Sequence, residues 1–61
     1  MKEFDVVKLT EDFKNLPAGT EGAIVLEYDG QAFEVEFFDD DGDTIDVLTV
    51  PVEYLELVTA C

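Results

Sequence analysis

The sequence has no histidine, no tryptophan and no arginine, and its one cysteine, Cys61, is the last residue. Each absence removes a class of chemistry. Without histidine, and with the thiol at a chain end, neither a Ser–His or Cys–His nucleophilic pair nor a zinc site can be assembled. A lone cysteine has no internal disulfide partner, so the fold stands without that staple, as in a reducing cytoplasm, and cytoplasmic location is expected. No long apolar run is present, so neither a signal peptide nor a membrane span is expected. Basic residues are scarce as well: Lys2, Lys8 and Lys14 are the only ones, and all lie in the first 14 positions. The cationic contacts that supply most of the affinity for nucleic-acid phosphates are missing, which argues against direct DNA or RNA binding.

What is present is acid and apolar surface. Sixteen Asp and Glu against three Lys give a formal charge of -13, and residues 15–61 hold twelve of those acids with no base. The resulting field repels nucleic acid and anionic lipid and attracts cationic partners; acidity serving solubility alone is the plainer alternative. Apolar residues make up 48% of the chain, with five Phe and two Tyr, the composition of a folded domain and not of an acidic tail. At 61 residues the expectation is one domain over 1–61, monomeric or weakly dimeric.

The chain is organised around Leu16-Pro17-Ala18-Gly19-Thr20-Glu21-Gly22-Ala23-Ile24-Val25, a turn feeding an apolar strand. Pro17 suits the first central position of a type I turn, with Gly19 at its last position. Gly22, where a strand should begin, marks a bulge or a close backbone approach. Before this turn, Phe4-Asp5-Val6-Val7-Lys8-Leu9 reads as a first strand, and residues 10–15 read as a polar loop in which Phe13 tucks back as a lid or sits on a short helical turn.

A second strand from about Gly22 to Tyr28 ends at Asp29-Gly30, a strong two-residue hairpin signal. Pairing Tyr28 with Gln31 sets Leu26 opposite Phe33, Ile24 opposite Val35 and Gly22 opposite Phe37. A three-residue loop of Asp40, Asp41 and Gly42, with Gly42 left-handed, then sets Phe37 opposite Ile45, Val35 opposite Val47 and Phe33 opposite Thr49. The expected inner face is Ile24, Leu26, Phe33, Val35, Phe37, Ile45 and Val47. Pro51 ends the fourth strand, Val52-Glu53-Tyr54 has room for one 3₁₀ turn, and Leu55-Glu56-Leu57-Val58 is a fifth strand closing against the first. The fold class expected is all-β, a five-stranded antiparallel barrel of SH3-like type with a short 3₁₀ turn before the last strand.

The same registers leave Val25, Glu34, Glu36, Asp46, Leu48 and Val50 on the outer face, with Glu36 directly across from Asp46. An apolar patch ringed by acids suits a basic, partly apolar protein partner, and these six residues are the candidate partner-binding site. The alternative is that curvature and the Phe13 loop bury Val25, Leu48 and Val50 in a second small core. Asp39, Asp40, Asp41 and Asp43 form a weak candidate cation site, because clustered carboxylates suit Ca²⁺ or Mg²⁺. The spacing lacks the glutamate at position twelve of a calcium loop, and a solvated acidic turn explains it better. No catalytic residue, metal or cofactor is implied.

Taken together, Phe4-Asp5-Val6-Val7-Lys8-Leu9, the 16–25 stretch, Phe33-Glu34-Val35-Glu36-Phe37 and Tyr54-Leu55-Glu56-Leu57 resemble a family of small bacterial proteins known only as a numbered domain of unknown function. The resemblance covers nearly the whole chain. The Gly-x-x-Gly-x-hydrophobic start of the second strand is distantly similar to the SH3-like barrels of the nitrile hydratase beta subunit and of KOW-type domains. The resemblance implies an SH3-like barrel and no catalytic residue; the nucleic-acid binding of KOW-type domains does not carry over, because acids stand where bases would be needed. The functional expectation is a non-enzymatic acidic module docking a basic protein, in a more specific form an antitoxin or immunity partner. The alternatives are an accessory subunit of a larger metalloenzyme and a nucleic-acid mimic that inhibits a DNA-binding protein.

Overall fold

A computed structural model describes residues 1–60. Cys61, the lone thiol, lies outside the described residues. Five antiparallel strands form one sheet: β1 (Val6–Leu9), β2 (Glu21–Tyr28), β3 (Ala32–Phe38), β4 (Thr44–Pro51) and β5 (Leu55–Thr59), with a 3₁₀ turn, Val52–Tyr54, between the last two. The order across the sheet is β4-β3-β2-β1-β5. The five-strand reading and the 3₁₀ turn before the last strand are therefore correct, and β5 does pair with β1. The sheet nevertheless stays open, with β4 and β5 as its two edges. Those edges are blunted by the sequence itself, since Pro51 cannot donate to a ladder and β5 has only five residues.

Local chemistry explains the reversals. At Asp29-Gly30 both residues have positive φ, 44° and 78°, as a type I′ turn requires, and the Gln31 N–H donates to the Tyr28 carbonyl at 3.1 Å. Gly42 takes the left-handed position expected of it, φ 86°, and the Asp39 N–H reaches the Asp43 carbonyl at 2.9 Å across the loop. The first turn is framed one residue later than Pro17 suggested. The Thr20 N–H and hydroxyl both donate to the Pro17 carbonyl, placing Gly19, φ 91°, at the left-handed third position of type II geometry. The first strand is also shorter at its start: Phe4 has φ 72°, and a turn from Lys2 to Asp5 precedes Val6. Buried Asp5 anchors that turn, its Oδ2 accepting the Lys2 backbone N–H at 3.0 Å.

Phe13 tucks back as a lid, without a helical turn. Phe13 and Leu16 exchange backbone hydrogen bonds as an isolated bridge, and the Phe13 ring meets Tyr54 edge-on at 5.2 Å. This places the β1–β2 loop over the 3₁₀ turn, where the Thr10 N–H also donates to the Tyr54 carbonyl at 2.9 Å.

The expected registers hold for only part of each hairpin. Gly22 opposes Phe37 and Ile24 opposes Val35 as predicted, but Val25 is then an extra residue, so that Leu26 opposes Glu34 and Tyr28 opposes Ala32. In the next hairpin Phe38 opposes Thr44, in step with the turn, and the shift follows at Ile45: Phe37 then opposes Asp46, Val35 opposes Leu48 and Phe33 opposes Val50. A one-residue slip exchanges the faces of everything beyond it. Leu26, Ile45 and Val47, expected inside, are exposed, while Val50, expected outside, is fully buried.

The physical reason for the β3–β4 shift lies in the polar residues of β4. In the expected register Thr49 would sit against Phe33 with its hydroxyl in the core. The shift turns Thr49 outward, where its hydroxyl donates to Glu34 Oε1 at 2.6 Å, and brings Val50 onto Phe33. Bulges of this kind also add the local twist that lets a short sheet wrap a core. That core is Val7, Leu9, Leu16, Ile24, Phe33, Val35, Phe37, Val50 and Leu55, with Phe13, Leu48, Val52 and Tyr54 packed against it.

Candidate functional site

The six residues expected to meet a partner do not share one surface. Glu34 and Glu36 do lie on the outer face of β3, half-buried and alternating with the buried Phe33, Val35 and Phe37. Val50 belongs to the core, and Leu48, half-buried beside Val35, packs against it. Asp46 opposes Phe37 rather than Glu36, so the like-charge pair expected across the strands does not form. Val25 is the half-buried bulge residue of β2. Of the two readings of Val25, Leu48 and Val50, neither an exposed patch nor a separate core describes them: Leu48 and Val50 join the single core.

The register shifts put other apolar residues where the patch was expected. Directly opposed residues share a face, so the outer side of the β2–β3–β4 hairpins carries Leu26 and Thr49 flanking Glu34, and Ala23 and Val47 flanking Glu36. Leu26 is 46% exposed, Val47 46% and Tyr28 42%. The bulge in each hairpin is the signal that the turn residues alone do not carry. A search of the pattern for an inward Thr49 with no hydrogen-bond partner would have pointed to the second one.

The two glutamates are held in place by side chains. Glu34 Oε1 accepts from Thr49, and Glu36 Oε2 accepts from the Thr44 hydroxyl at 2.7 Å. Among the described residues each carboxylate keeps a second oxygen for an incoming donor, and Glu34 has Leu26 on one side while Glu36 has Ala23 and Val47, so the face can present fixed negative charge and cover apolar surface in one contact. Lys8, on β1, opposes Glu21 on one side and Glu56 on the other. Negative charge therefore dominates from β2 to β4.

Among the described residues no group of three or more carboxylates converges to hold a metal ion. In the 39–43 loop the Asp39 Oδ1 instead accepts the backbone N–H groups of Asp41, at 2.9 Å, and Asp43, at 3.0 Å. The acids there shape the turn.

Residues 3–57 match the family model described as a domain of unknown function, DUF4926. The chain belongs to that family. In this DUF4926 chain the match runs from the N-terminal turn into β5, so it takes in β1 to β4, both hairpins of the outer face and the first three residues of β5. No curated protein and no solved structure matches the chain. What the structure shows of this DUF4926 domain is five antiparallel strands in an open sheet with a 3₁₀ turn before β5, and no matched structure adds an SH3-like likeness to that. No helix among the described residues is long and apolar enough to cross a membrane.

Proposed function

We propose that this DUF4926 protein is a non-enzymatic docking module for a basic protein, with the outer face of β2, β3 and β4 as its contact surface. The observation that carries the reading is the pairing of two glutamates held by threonine hydroxyls with exposed Leu26, Val47 and Tyr28, on a chain of charge -13. Fixed carboxylates choose the sign of the partner and steer its approach, and the apolar neighbours supply area to bury. In its narrower form the partner is a toxin that the module neutralises, and co-expression would then restore growth to cells making that toxin.

The test is affinity capture from cells that produce the protein, run in parallel with the Glu34→Lys/Glu36→Lys variant and eluted with rising salt. The expected result is a basic partner held by the parent, lost from the variant, and released as screening shortens from about 10 Å at 0.1 M salt to about 3 Å at 1 M. Equal capture by both chains, or retention indifferent to salt, would overturn the reading.

A further inference from the structure

A groove of about 670 Å³ lies between the 16–21 turn and the turn end of the β3–β4 hairpin. Leu16, Phe38 and Ile45 give it an apolar floor, and Glu21, Asp39 and Asp40 line it with carboxylates; no basic residue lines it. Ile45 is the residue left over where the β3–β4 register shifts, and it is 47% exposed. Asp39 commits one carboxylate oxygen to its own loop, whereas Glu21 and Asp40 make no side-chain hydrogen bond among the described residues.

We infer that this groove receives an extended, arginine- or lysine-bearing segment of the partner, an apolar residue of that segment covering Ile45 and Phe38 while its cations meet Glu21 and Asp40. The inference rests on the docking reading above and adds where the partner's chain is gripped. Charge complementarity selects the occupant. A second copy of this chain would bring another -13 into a groove lined with acids, and a nucleic acid or anionic lipid would bring the same sign. The groove is also continuous with the outer face, because Phe38 follows Glu34 and Glu36 at two-residue steps on the same side of β3. From Ala32 to Phe38 that strip is about 20 Å long at the usual rise of a strand, room for about six extended residues.

The probe is a capped hexapeptide of alternating arginine and leucine, with a glutamine-for-arginine analogue as control, titrated at low salt into the isotopically labelled protein and followed through backbone amide shifts. The expected result is binding of the arginine peptide alone, with the largest shifts at residues 16–21 and 38–45, a loss of at least tenfold in affinity for Glu21→Lys/Asp40→Lys and of about threefold for Ile45→Ser. Glu53→Lys/Glu56→Lys, an exposed double reversal of the same charge change on the 3₁₀ turn and β5, away from the groove, checks for a bulk charge effect and should cost less than threefold. If Glu53→Lys/Glu56→Lys weakens binding as much as Glu21→Lys/Asp40→Lys, the groove has no part in it and the inference fails. If the shifts gather at Leu26, Glu34 and Val47 while the groove is silent, the groove is overturned and the docking reading stands. No binding at low salt overturns both.

Discussion

Replacing Gly22 by alanine probes a close backbone approach in the sheet. An ideal Cβ at Gly22 would stand 2.7 Å from the Glu36 carbonyl oxygen, 2.8 Å from Val35 Cγ1 and 3.1 Å from the Glu36 carbonyl carbon. Two of these atoms are backbone of the neighbouring strand, and Val35 is fully buried, so no flexible side chain can absorb the contact. Relief requires β3 to move away from β2 by several tenths of an ångström beside the Gly22–Phe37 pair, straining the ladder there. Overpacking of this kind costs about 1–3 kcal/mol, and a weakened ladder hydrogen bond adds about 1 kcal/mol. Restricting the unfolded chain returns about 0.4–1 kcal/mol.

The net loss expected for Gly22→Ala is about 1–3 kcal/mol, a large share of the ~3–5 kcal/mol available to a domain of this size. The melting temperature should fall by about 5–20 °C, at about 4–8 °C per kcal/mol. Urea unfolding followed by far-ultraviolet circular dichroism is the assay, since the chain has no tryptophan. Gly30 is the comparison, with φ 78° and no atom within 4 Å of an added Cβ. Gly30→Asn, a residue that tolerates the left-handed region, should stay within about 1 kcal/mol of the parent. A Gly22→Ala chain as stable as the parent would show that the approach is looser than 2.7 Å and refute the reasoning.

Two further perturbations test the register and the N-terminal turn. Val50→Asp places a charge in the core and should abolish cooperative folding, whereas Val47→Asp, at a 46% exposed site directly opposite Glu36, should keep a cooperative fold and cost about 1 kcal/mol through like charges facing across the strands; the reverse outcome, read by thermal melting, would restore the register without the Ile45 shift. Asp5→Ala removes the buried acceptor of the Lys2 N–H and should cost about 1–3 kcal/mol, and an unchanged urea midpoint would show that the carboxylate does not anchor the turn.

How far the sequence is legible here depends on the range of each signal. Asp29-Gly30 and Gly42 declare their turns because only certain residues enter left-handed backbone without strain, a restriction that acts within four residues. Gly22 announces a close approach for a different reason: its backbone is not left-handed, and what the position needs is the missing Cβ. Phe33, Val35 and Phe37 declare their shared face, since alternation along one strand needs no knowledge of its neighbours. Val47 and Val50 carry no such mark. Both are β-branched and apolar, and which of them is buried depends on a bulge at Ile45 that lies beyond the reach of the turn.

By itself, then, the sequence determined the all-β class, the five strands, the positions of the two hairpin reversals at Asp29-Gly30 and Asp40-Gly42 and the negative charge of the surface, because each follows from residue type and short-range spacing. Tertiary structure alone decided where each hairpin slips by one residue and so which apolar side chains face water. A bulge is chosen by what the whole core gains, here Val50 against Phe33 and Thr49 turned out to Glu34. That bulge turned Val47 out and left Ile45 in the acidic groove, and the separate bulge at Val25 turned out Leu26 and Tyr28, so the outer apolar surface is Leu26, Tyr28 and Val47 and not Val25, Leu48 and Val50.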